Sequence, residues 1–468
     1  MHEAGQHVHF IGIGGVGMSG IAHILLAQGF RVSGSDLKAS PVTERLQAAG
    51  AVVYTGHRAR QVEGADRVVV SSAVREENEE LRAARARGIP VVRRGEMLAA
   101  LMAGKKGVAV AGTHGKTTTT AMIALLFQKN GLEPTILVGG DLPALGGNAV
   151  PGKGEWLVAE ADESDGSFLL LDPRVAVVTN VEDDHLEHYG SRDGIVRAFG
   201  RFLERIPPDG TAVLCTDDPG VREILASYHG PCLTYGLTGS PDFHLRVEEL
   251  SGLSGRGEVS YRGRVLGRLE LAVPGRHNLQ NACAAIAVGT AAGLSFAAMA
   301  RVLSGFTGVR RRFEILGRSG GITVVDDYAH HPSEIRATLR AAAGASPGRV
   351  VACFQPHRYS RTKRLAREFA GAFDDADLVI VSDVYGAGET PLAGVSGLSV
   401  VEAFQGQNGR VVLYRPTLAE VVDCLAEVVL PGDLVLTLGA GDIWRAGREL
   451  LYRLGRGEAV AVSGLGGS

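Results

Sequence analysis

A glycine-rich loop with a lysine and threonines stands between an apolar strand and a helix. After the apolar run 108–111, the loop reads Gly112, Thr113, His114, Gly115, Lys116, Thr117 and Thr118. Val110 replaces the first glycine of the standard phosphate-binding pattern, but the Gly-Lys-Thr core is intact. In such loops the backbone N–H groups hold phosphate oxygens, the lysine reaches the β- and γ-phosphates, and the next hydroxyl binds Mg²⁺. The pattern predicts a nucleoside triphosphate site with Lys116 as a catalytic group.

Acidic residues follow the next apolar strand of this region. Glu160 ends the run 156–160 and opens the segment Glu-Ala-Asp-Glu-Ser-Asp. Because the carboxyl ends of parallel strands meet at one edge of a sheet, at least one of these carboxylates should face the phosphates. His185 follows the strand after that. Mg²⁺ prefers oxygen ligands, so a loop histidine bonded to Asp184 is the alternative; with Glu160 beside it, His185 is favoured as a metal ligand.

A second glycine loop lies near the N-terminus. Residues 12–17 read Gly-Ile-Gly-Gly-Val-Gly between a predicted strand and a predicted helix, and Asp36 ends the next strand. This pattern is typical of NAD-binding proteins. However, glycines that close on a diphosphate at a helix N-terminus serve a UDP-sugar equally well. A tight turn without a ligand is the third alternative.

Further polar segments could bind a ligand. Asn281 lies one helical turn after Asn278, so both amides could face one ligand, although an asparagine helix cap fits equally well. The segments 326–332 (Asp-Asp-Tyr-Ala-His-His-Pro) and 355–362 (Gln-Pro-His-Arg-Tyr-Ser-Arg-Thr) follow apolar strands. Their basic and titratable groups suit anionic substrates and proton transfer. The arginine run 310–312 is either a solvated charged segment or a phosphate-binding group.

Strands that alternate with helices predict an α/β protein with mostly parallel sheets. The pattern restarts twice, which predicts three doubly wound domains: a Rossmann-like domain at 1–103, a central P-loop domain at 104–312 and a second Rossmann-like domain at 313–468. Residues 251–257 are predicted to form a hairpin loop. A length of 468 residues agrees with about three domains.

Composition narrows the class of protein further. Hydrophobic residues make up 45% and charged residues 21%, and the net charge is -3, so neither disorder nor nucleic-acid binding is indicated. No apolar run reaches the roughly 18 residues that span a bilayer, and no signal peptide is evident, so we expect no membrane partner and a cytoplasmic location. The five separate cysteines are expected to be reduced thiols.

Taken together, the motifs make the chain resemble the Mur ligases of peptidoglycan synthesis over nearly its whole length. The resemblance is carried, in order, by HFIGIGGVGMSGIA, GTHGKTTTT, EADESD, TNVEDDHLEHYG, GRHNLQNACAA, GVRRRFE, DDYAHHPSEI, FQPHRYSRT and GAGDI. It implies that the first domain binds a UDP-sugar rather than NAD, that the central domain binds ATP, and that the third domain completes the site.

The resemblance also implies roles for individual residues. The UDP-sugar would be bound by Gly12, Gly14, Gly15, Val16, Gly17, Met18, Ser19 and Asp36. Residues 112–118 would bind the ATP phosphates, and Asn281, Arg312 and Asp327 would hold the adenosine. Magnesium would be bound by Thr117, Glu160 and His185. The reaction site would be lined by His330, His357, Arg358 and Arg361.

The activity implied is ATP-dependent ligation of L-alanine to UDP-N-acetylmuramate through an acyl phosphate, by a monomer or homodimer. Several sister ligases support a second metal with a carbamylated lysine, but this chain has no lysine between Lys153 and Lys363. That absence fits the alanine-adding branch of the family. The alternatives are a recycling ligase that attaches an L-alanyl peptide, an NAD-dependent oxidoreductase and a non-catalytic nucleotide-binding scaffold.

Overall fold

The protein is described from a computed structural model, which covers residues 5–346, 348–404 and 411–456. The chain divides into two compact units. The first comprises Met1–Arg246, Gly257–Leu269 and Gln280–Phe306. The second comprises Val247–Arg256, Glu270–Leu279 and Thr307–Ser468.

The first sheet follows the order β3-β2-β1-β4-β5 and is parallel throughout its described strands. Its strands are β1 (His7–Ile11), β2 (Arg31–Asp36), β3 (Val52–Thr55), β4 (Arg67–Val70) and β5 (Val91–Arg93). Its helices are α1 (Val16–Ala27), α2 (Pro41–Ala48), α3 (Glu79–Ala86) and α4 (Arg94–Met102). The strand order reverses between β1 and β4, and ligands of such sheets bind at the carboxyl ends of the strands beside this reversal.

The second sheet has ten strands within the described residues, in the order β15-β14-β13-β12-β11-β10-β6-β9-β7-β8. Its strands are β6 (Lys106–Ala111), β7 (Thr135–Leu142), β8 (Gly147–Val150), β9 (Trp156–Glu160), β10 (Val175–Val178), β11 (Thr211–Cys215), β12 (Cys232–Gly236), β13 (Phe243–Ser251), β14 (Ser254–Tyr261) and β15 (Arg264–Leu271). Its helices are α5 (Lys116–Lys129), α6 (Leu186–Tyr189), α7 (Arg192–Leu203), α8 (Pro219–Ser227), α9 (Arg276–Ala291) and α10 (Phe296–Ser304). The central strands are parallel, and β6 lies between β9 and β10.

The third sheet lies in the second unit and follows the order β16-β17-β21-β18-β19-β20. Its strands are β16 (Glu314–Ser319), β17 (Ile322–Asp327), β18 (Val350–Phe354), β19 (Leu378–Val381), β20 (Val411–Tyr414) and β21 (Leu434–Leu438). Its helices are α11 (Pro332–Ala345), α12 (Tyr359–Ala370), α13 (Leu398–Ala403), α14 (Leu418–Val428) and α15 (Trp444–Gly455). Only β16 pairs antiparallel among the described strands of this sheet.

The apolar strands form the core because they are covered on both faces. All five residues of β18 and of β21 are buried, and so are the first four residues of β9. Such continuous apolar runs are typical of parallel sheets with helices on both sides. Glu160, the last residue of β9, is only partly buried, so its carboxylate sits where the core gives way to the polar edge of the sheet.

The predicted architecture of three α/β domains with mostly parallel sheets is confirmed, whereas the domain boundaries after residues 103 and 312 stay predictions. The predicted hairpin loop at 251–257 is wrong in extent, because β13 continues to Ser251 and β14 begins at Ser254. Gly252 adopts a φ of 55° between them, which allows a two-residue turn. None of the helices in the described ranges is long and apolar enough to cross a membrane.

Candidate active site

The loop between β6 and α5 has a conformation that requires glycine at two positions. Gly112 has a φ of 135° and Gly115 a φ of 80°. A Cβ atom on Gly112 would lie 2.0 Å from Oγ1 of Thr179, and one on Gly115 would lie 2.8 Å from Oδ1 of Asn281. The loop therefore runs against the segment that follows β10 and against α9, with no room for side chains at these two positions.

Residues after β10 hold this loop in place. The backbone N–H of His114 donates to Oδ1 of Asn180 at 2.8 Å, and Nδ2 of Asn180 donates to the carbonyl of His114 at 3.0 Å. Oγ1 of Thr113 accepts the backbone N–H of Glu182 at 2.9 Å. These bonds use the N–H and carbonyl of His114 and the side chain of Thr113. They fix the shape of the loop while α5 presents its N-terminal N–H groups beyond Gly115.

Lys116 is the first residue of α5, and its ammonium group is surrounded by oxygen atoms. Nζ donates to the carbonyls of Gly112 at 2.5 Å and Thr113 at 3.1 Å and lies 2.9 Å from Oε1 of Glu163. Burial alone would lower the pKa of Lys116, but Glu163 and Glu160 more than offset this, so its pKa is raised. Lys116 is therefore held as a cation.

Thr117 and Glu160 meet beside this lysine. Oγ1 of Thr117 donates to Oε2 of Glu160 at 2.9 Å, and the same carboxylate oxygen accepts the backbone N–H of Gly139 at 3.0 Å. A hydroxyl and a carboxylate side by side at the phosphate loop form an oxygen donor pair of the kind that Mg²⁺ prefers. These two side chains therefore fit a magnesium ion.

Glu163 lies between Lys116 and His185. Oε1 of Glu163 is 3.9 Å from Nε2 of His185, and Oε2 is buried without a hydrogen-bond partner among the described residues. Burial raises the pKa of Glu163 to about 7, against the opposing charge of Lys116. Tyr189 donates its hydroxyl to the backbone carbonyl of Glu163. A buried carboxylate oxygen without a partner is costly, so this position also fits a bound cation.

His185 has an unusual backbone for a side chain with a Cβ. Its φ is 57°, and it precedes α6 as the N-cap residue. Its backbone N–H donates to Oδ1 of Asp184 at 2.9 Å, and its Nε2 lies 3.6 Å from Oδ2 of the same residue. Backbone strain of this kind is concentrated at functional sites. The ring is thus held near Glu163, as a metal ligand or as a partner of Asp184.

The N-terminal glycine loop borders a cleft of about 340 Å³ in the first unit. The cleft is lined by Gly15, Val16, Gly17, Met18, Ile21, Ser71, Ser72, Arg94, Leu98, Leu137, Val138, Gly139, Asn148, Glu160 and Asp162. Ser71 and Ser72 follow β4, so the cleft lies at the reversal of strand order in the first sheet. The same cleft reaches Glu160, the carboxylate that Thr117 contacts.

Other residues predicted for the nucleotide-sugar shape this loop. Gly12 has a φ of 83°, and Oδ2 of Asp36 accepts the backbone N–H of Gly14 at 2.9 Å. Oγ of Ser19 donates to the carbonyl of Val16 at 3.0 Å, so its hydroxyl is used within α1. Met18 is buried. Asp36 thus fixes the loop, which the sequence pattern did not indicate.

In the second unit, arginines and aspartates gather at the end of β17. Nε of Arg311 lies 3.1 Å from Oδ2 of Asp326, and the guanidinium groups of Arg311 and Arg312 lie over the ring of Tyr328. Asp327 accepts the backbone N–H groups of Phe313 and Ala329, each at 2.7 Å. Burial raises the pKa of Asp327 to about 6. Arg311 and Arg312 of the arginine run therefore contact acidic and aromatic groups and are not simply solvated.

His330 and His357 lie together in this second unit, with ring centroids 5.6 Å apart. Burial, reinforced by Arg361, lowers the pKa of His330 to about 4. Burial and the neighbouring cationic groups lower the pKa of His357 to about 3. Both rings are therefore neutral at pH 7. Nδ1 of His357 is buried without a partner in the described chain, and Arg358 adopts a φ of 69° at the start of α12.

Comparisons with known proteins show which family the chain belongs to. Three family models match in sequence: the Mur ligase family catalytic domain at 7–106, the Mur ligase middle domain at 110–289, and the Mur ligase glutamate ligase domain at 311–441. The chain belongs to the Mur ligase family. The three matched segments contain the first glycine loop, the phosphate loop and the His330 cluster, respectively.

Relatives of this Mur ligase match over nearly its whole length. A UDP-N-acetylmuramate–L-alanine ligase of Pelotomaculum thermopropionicum is 55% identical, over 97% of this chain and 99% of the relative. The crystal structure of a UDP-N-acetylmuramate–alanine ligase of Thermotoga maritima is similar with a TM-score of 0.84 and 31% identity, covering 96% of this chain and 99% of that one. A murein peptide ligase of Psychrobacter arcticus has a TM-score of 0.74 and 25% identity, with 98% and 100% covered.

The sequence alone does not single out several residues of the candidate site. Asn180 fastens the phosphate loop, Glu163 contacts Lys116, and Arg94 pairs with Asp162 in the cleft. Asn180 and Glu163 belong to two of the sequence motifs, and each follows the carboxyl end of a strand. That position could have marked them as candidate site residues. Arg94 stands in a helix start far from any glycine loop, and no sequence pattern marked it.

Proposed function

We propose that this Mur ligase joins L-alanine to UDP-N-acetylmuramate in peptidoglycan precursor synthesis and converts ATP to ADP and phosphate. One observation carries the proposal: Glu160 contacts Thr117 of the phosphate loop and also lines the cleft of the first glycine loop. A substrate carboxylate in that cleft can therefore approach a phosphate held by the loop. The need for ATP and a nucleotide-sugar favours a cytoplasmic location.

The first step activates a carboxylate, which is a poor electrophile. We assign the attack to the lactyl carboxylate oxygen of UDP-N-acetylmuramate on the γ-phosphorus of ATP, so that the β–γ bridging bond breaks and ADP leaves. The product is an acyl phosphate. Lys116, a buried cation at the start of α5, stabilises the negative charge on the transferring phosphoryl group.

Magnesium would be held by Thr117 and Glu160, with His185 as a further ligand, and when bound it supplies positive charge to the phosphate oxygens. We assign ATP phosphate binding to residues 112–118. Asn281, which contacts the loop at Gly115, and the second-unit residues Arg312 and Asp327 are proposed to bind the adenosine. The loop Gly12–Ser19 and Asp36 are proposed to bind the UDP moiety.

The second step forms the amide bond. The neutral amine of L-alanine attacks the acyl carbon, a tetrahedral intermediate forms, and inorganic phosphate leaves with the former carboxylate oxygen. We propose that His330 accepts the amine proton. Its Nδ1 bonds to the carbonyl of Tyr328 at 3.0 Å, which assigns the proton to Nδ1 and leaves Nε2 as the acceptor. His357, Arg358 and Arg361 are proposed to line the reaction site and bind the alanine or the muramyl carboxylate.

A second candidate activity differs only in the amine substrate. The similarity to a murein peptide ligase favours, as the alternative, attachment of a preformed L-alanyl peptide. The deciding experiment measures ADP release with Mg²⁺, ATP and UDP-N-acetylmuramate, and compares free L-alanine, an L-alanyl peptide and no amine. Stimulation by free L-alanine is expected.

Stimulation by the peptide alone would replace the proposal with the recycling activity. ADP release in none of the three reactions would contradict both ligase activities. In that case the binding of NADH, followed at its nicotinamide absorbance band, tests the oxidoreductase alternative, and its absence leaves a nucleotide-binding scaffold.

A further inference from the structure

Arg94 is the basic residue in the wall of the cleft that the first glycine loop borders. It is the first residue of α4, and among the described residues that line the cleft no other side chain is cationic. Its side chain lies directly against the loop: a Cβ atom on Gly17 would be 3.0 Å from Cδ of Arg94 and 3.3 Å from Nη1. The guanidinium group therefore stands beside the first turn of α1.

An ion pair with Asp162 fixes Arg94 in this position. Its Nη2 lies 2.7 Å from Oδ2 of Asp162, whose other oxygen accepts the backbone N–H of Ser164 at 3.0 Å and the Ser164 hydroxyl at 2.6 Å. Asp162 is thus a carboxylate that faces Arg94.

Gly95 brings the start of α4 close to the acidic segment. A Cβ atom at Gly95 would lie 2.5 Å from Cβ of Ser167, so only glycine lets the helix start pack at this distance. The side chain of Arg94 is only 20% exposed. Ordering a long arginine side chain costs conformational entropy, which this packing has already removed before a ligand arrives.

We propose that Arg94 binds the diphosphate of the nucleotide-sugar substrate and that Asp162 is the residue that positions it. The inference rests on the proposed function, because it assigns a further residue to the same substrate. A helix N-terminus supplies only about half a positive charge, whereas a diphosphate carries nearly two negative charges. The planar guanidinium beside Gly17 supplies the missing charge and the N–H donors of Nη1.

The proximity of the guanidinium to Gly17 favours the diphosphate over the lactyl carboxylate. Its Nη1 lies beside Gly17 in the first turn of α1, while Nη2 is used by Asp162. A carboxylate that approached Nη2 would also approach Asp162 and be repelled by it. The diphosphate meets the free edge of the guanidinium and the helix N-terminus together.

The test is equilibrium binding of UDP-N-acetylmuramate to the full chain without ATP, measured by titration calorimetry. Arg94→Ala is expected to weaken binding by at least about 10-fold, the effect of one charge-assisted hydrogen-bond pair. Arg93→Ala, the exposed neighbour outside the cleft, is the matched control and should bind normally. Normal affinity in Arg94→Ala would overturn the proposal, whereas absence of binding by the unaltered protein would contradict the proposed function itself.

Two further measurements separate direct binding from a structural effect. In Arg94→Lys, which keeps the charge, the ³¹P resonances of bound UDP-N-acetylmuramate should shift relative to the unaltered protein; unchanged resonances would mean that Arg94 does not touch the phosphates. Asp162→Asn should weaken binding several-fold in the native background but not in Arg94→Ala. Equal effects of Asp162→Asn in both backgrounds would show that Asp162 acts without Arg94.

Discussion

Nζ of Lys116 lies 2.9 Å from Oε1 of Glu163, although Lys116 follows strand β6 and Glu163 follows strand β9. The lysine is thereby bound by its own loop carbonyls and by a carboxylate at the position where phosphate charge is expected. A nucleotide phosphate that binds here must replace Glu163 as the ion-pair partner of Lys116. Both side chains of this ion pair are largely buried. If either residue were removed, the other would carry an uncompensated buried charge.

Replacement of Lys116 tests its catalytic role. In Lys116→Met we expect the rate of ADP formation to fall by at least a hundred-fold, because the transferring phosphoryl group loses its main protein cation. Binding of UDP-N-acetylmuramate in calorimetry should remain within about two-fold, since Lys116 does not line the cleft. Lys129→Met, at the exposed end of the same helix, is the control. Loss of UDP-N-acetylmuramate binding together with ADP formation would contradict the separation of the two sites.

Glu160 is expected to determine the magnesium requirement. In Glu160→Gln the concentration of Mg²⁺ that gives half-maximal ADP release should rise by roughly 10-fold or more, because one anionic ligand is lost. Titration of bound Mn²⁺ by its electron paramagnetic resonance signal provides a readout that does not depend on turnover. Glu155→Gln, an exposed glutamate in the preceding turn, should titrate normally. An unchanged metal titration in Glu160→Gln would remove Glu160 from the ligand set.

His330 is expected to act after the acyl phosphate has formed. In His330→Ala, turnover with L-alanine should fall by about 100-fold, the usual contribution of a general base. The acyl phosphate itself, trapped by borohydride reduction, should still form from ATP and UDP-N-acetylmuramate. His229→Ala, an exposed histidine of the first unit, serves as the control. Near-normal turnover would exclude His330 as the base, and loss of the trapped intermediate would indicate an earlier role.

A cluster of polar side chains around Glu80, in the domain of the first sheet, should contribute to the stability of the fold. Glu80 is fully buried, with Oε1 3.0 Å from Nε2 of His9 and Oε2 2.7 Å from Nδ1 of His57. Ser35 also donates to Oε2 of Glu80, at 2.5 Å. Burial alone would raise the pKa of Glu80, but the bonds to His9 and Ser35 hold it below its ordinary value of 4.5.

Glu80→Gln is therefore expected to lower the free energy of unfolding by roughly 1–3 kcal/mol, since it weakens several buried charge-assisted bonds. A lowered folded-state pKa stabilises the protein above the unfolded value and loses this contribution as pH falls below about 4.5. The stability difference between the two proteins, measured by scanning calorimetry, should stay constant from about pH 7 to pH 5 and shrink as the pH falls from about 5 to 3. Glu79→Gln, its exposed neighbour, is the control, and a constant difference across the lower range would contradict the assignment.

The sequence alone determined the α/β class, the three-domain organisation and the position of the phosphate loop. These features depend on local rules: apolar runs form buried strands, and a Gly-Lys-Thr core between a strand and a helix leaves few other conformations. The hairpin loop predicted at 251–257 is too long, because the ends of strands depend on pairing with a neighbouring strand, which a glycine-rich composition does not reveal.

Only the tertiary structure decided which side chains meet. Lys116 and Glu163 are 47 residues apart, and Arg94 and Asp162 are 68 apart. Their contacts exist because β9 pairs with β6 and because Gly95 lets α4 pack on the acidic segment. The spacing of residues in the sequence does not predict such pairs. The order of the strands and the distance at which a helix packs are set by the packing of the whole core.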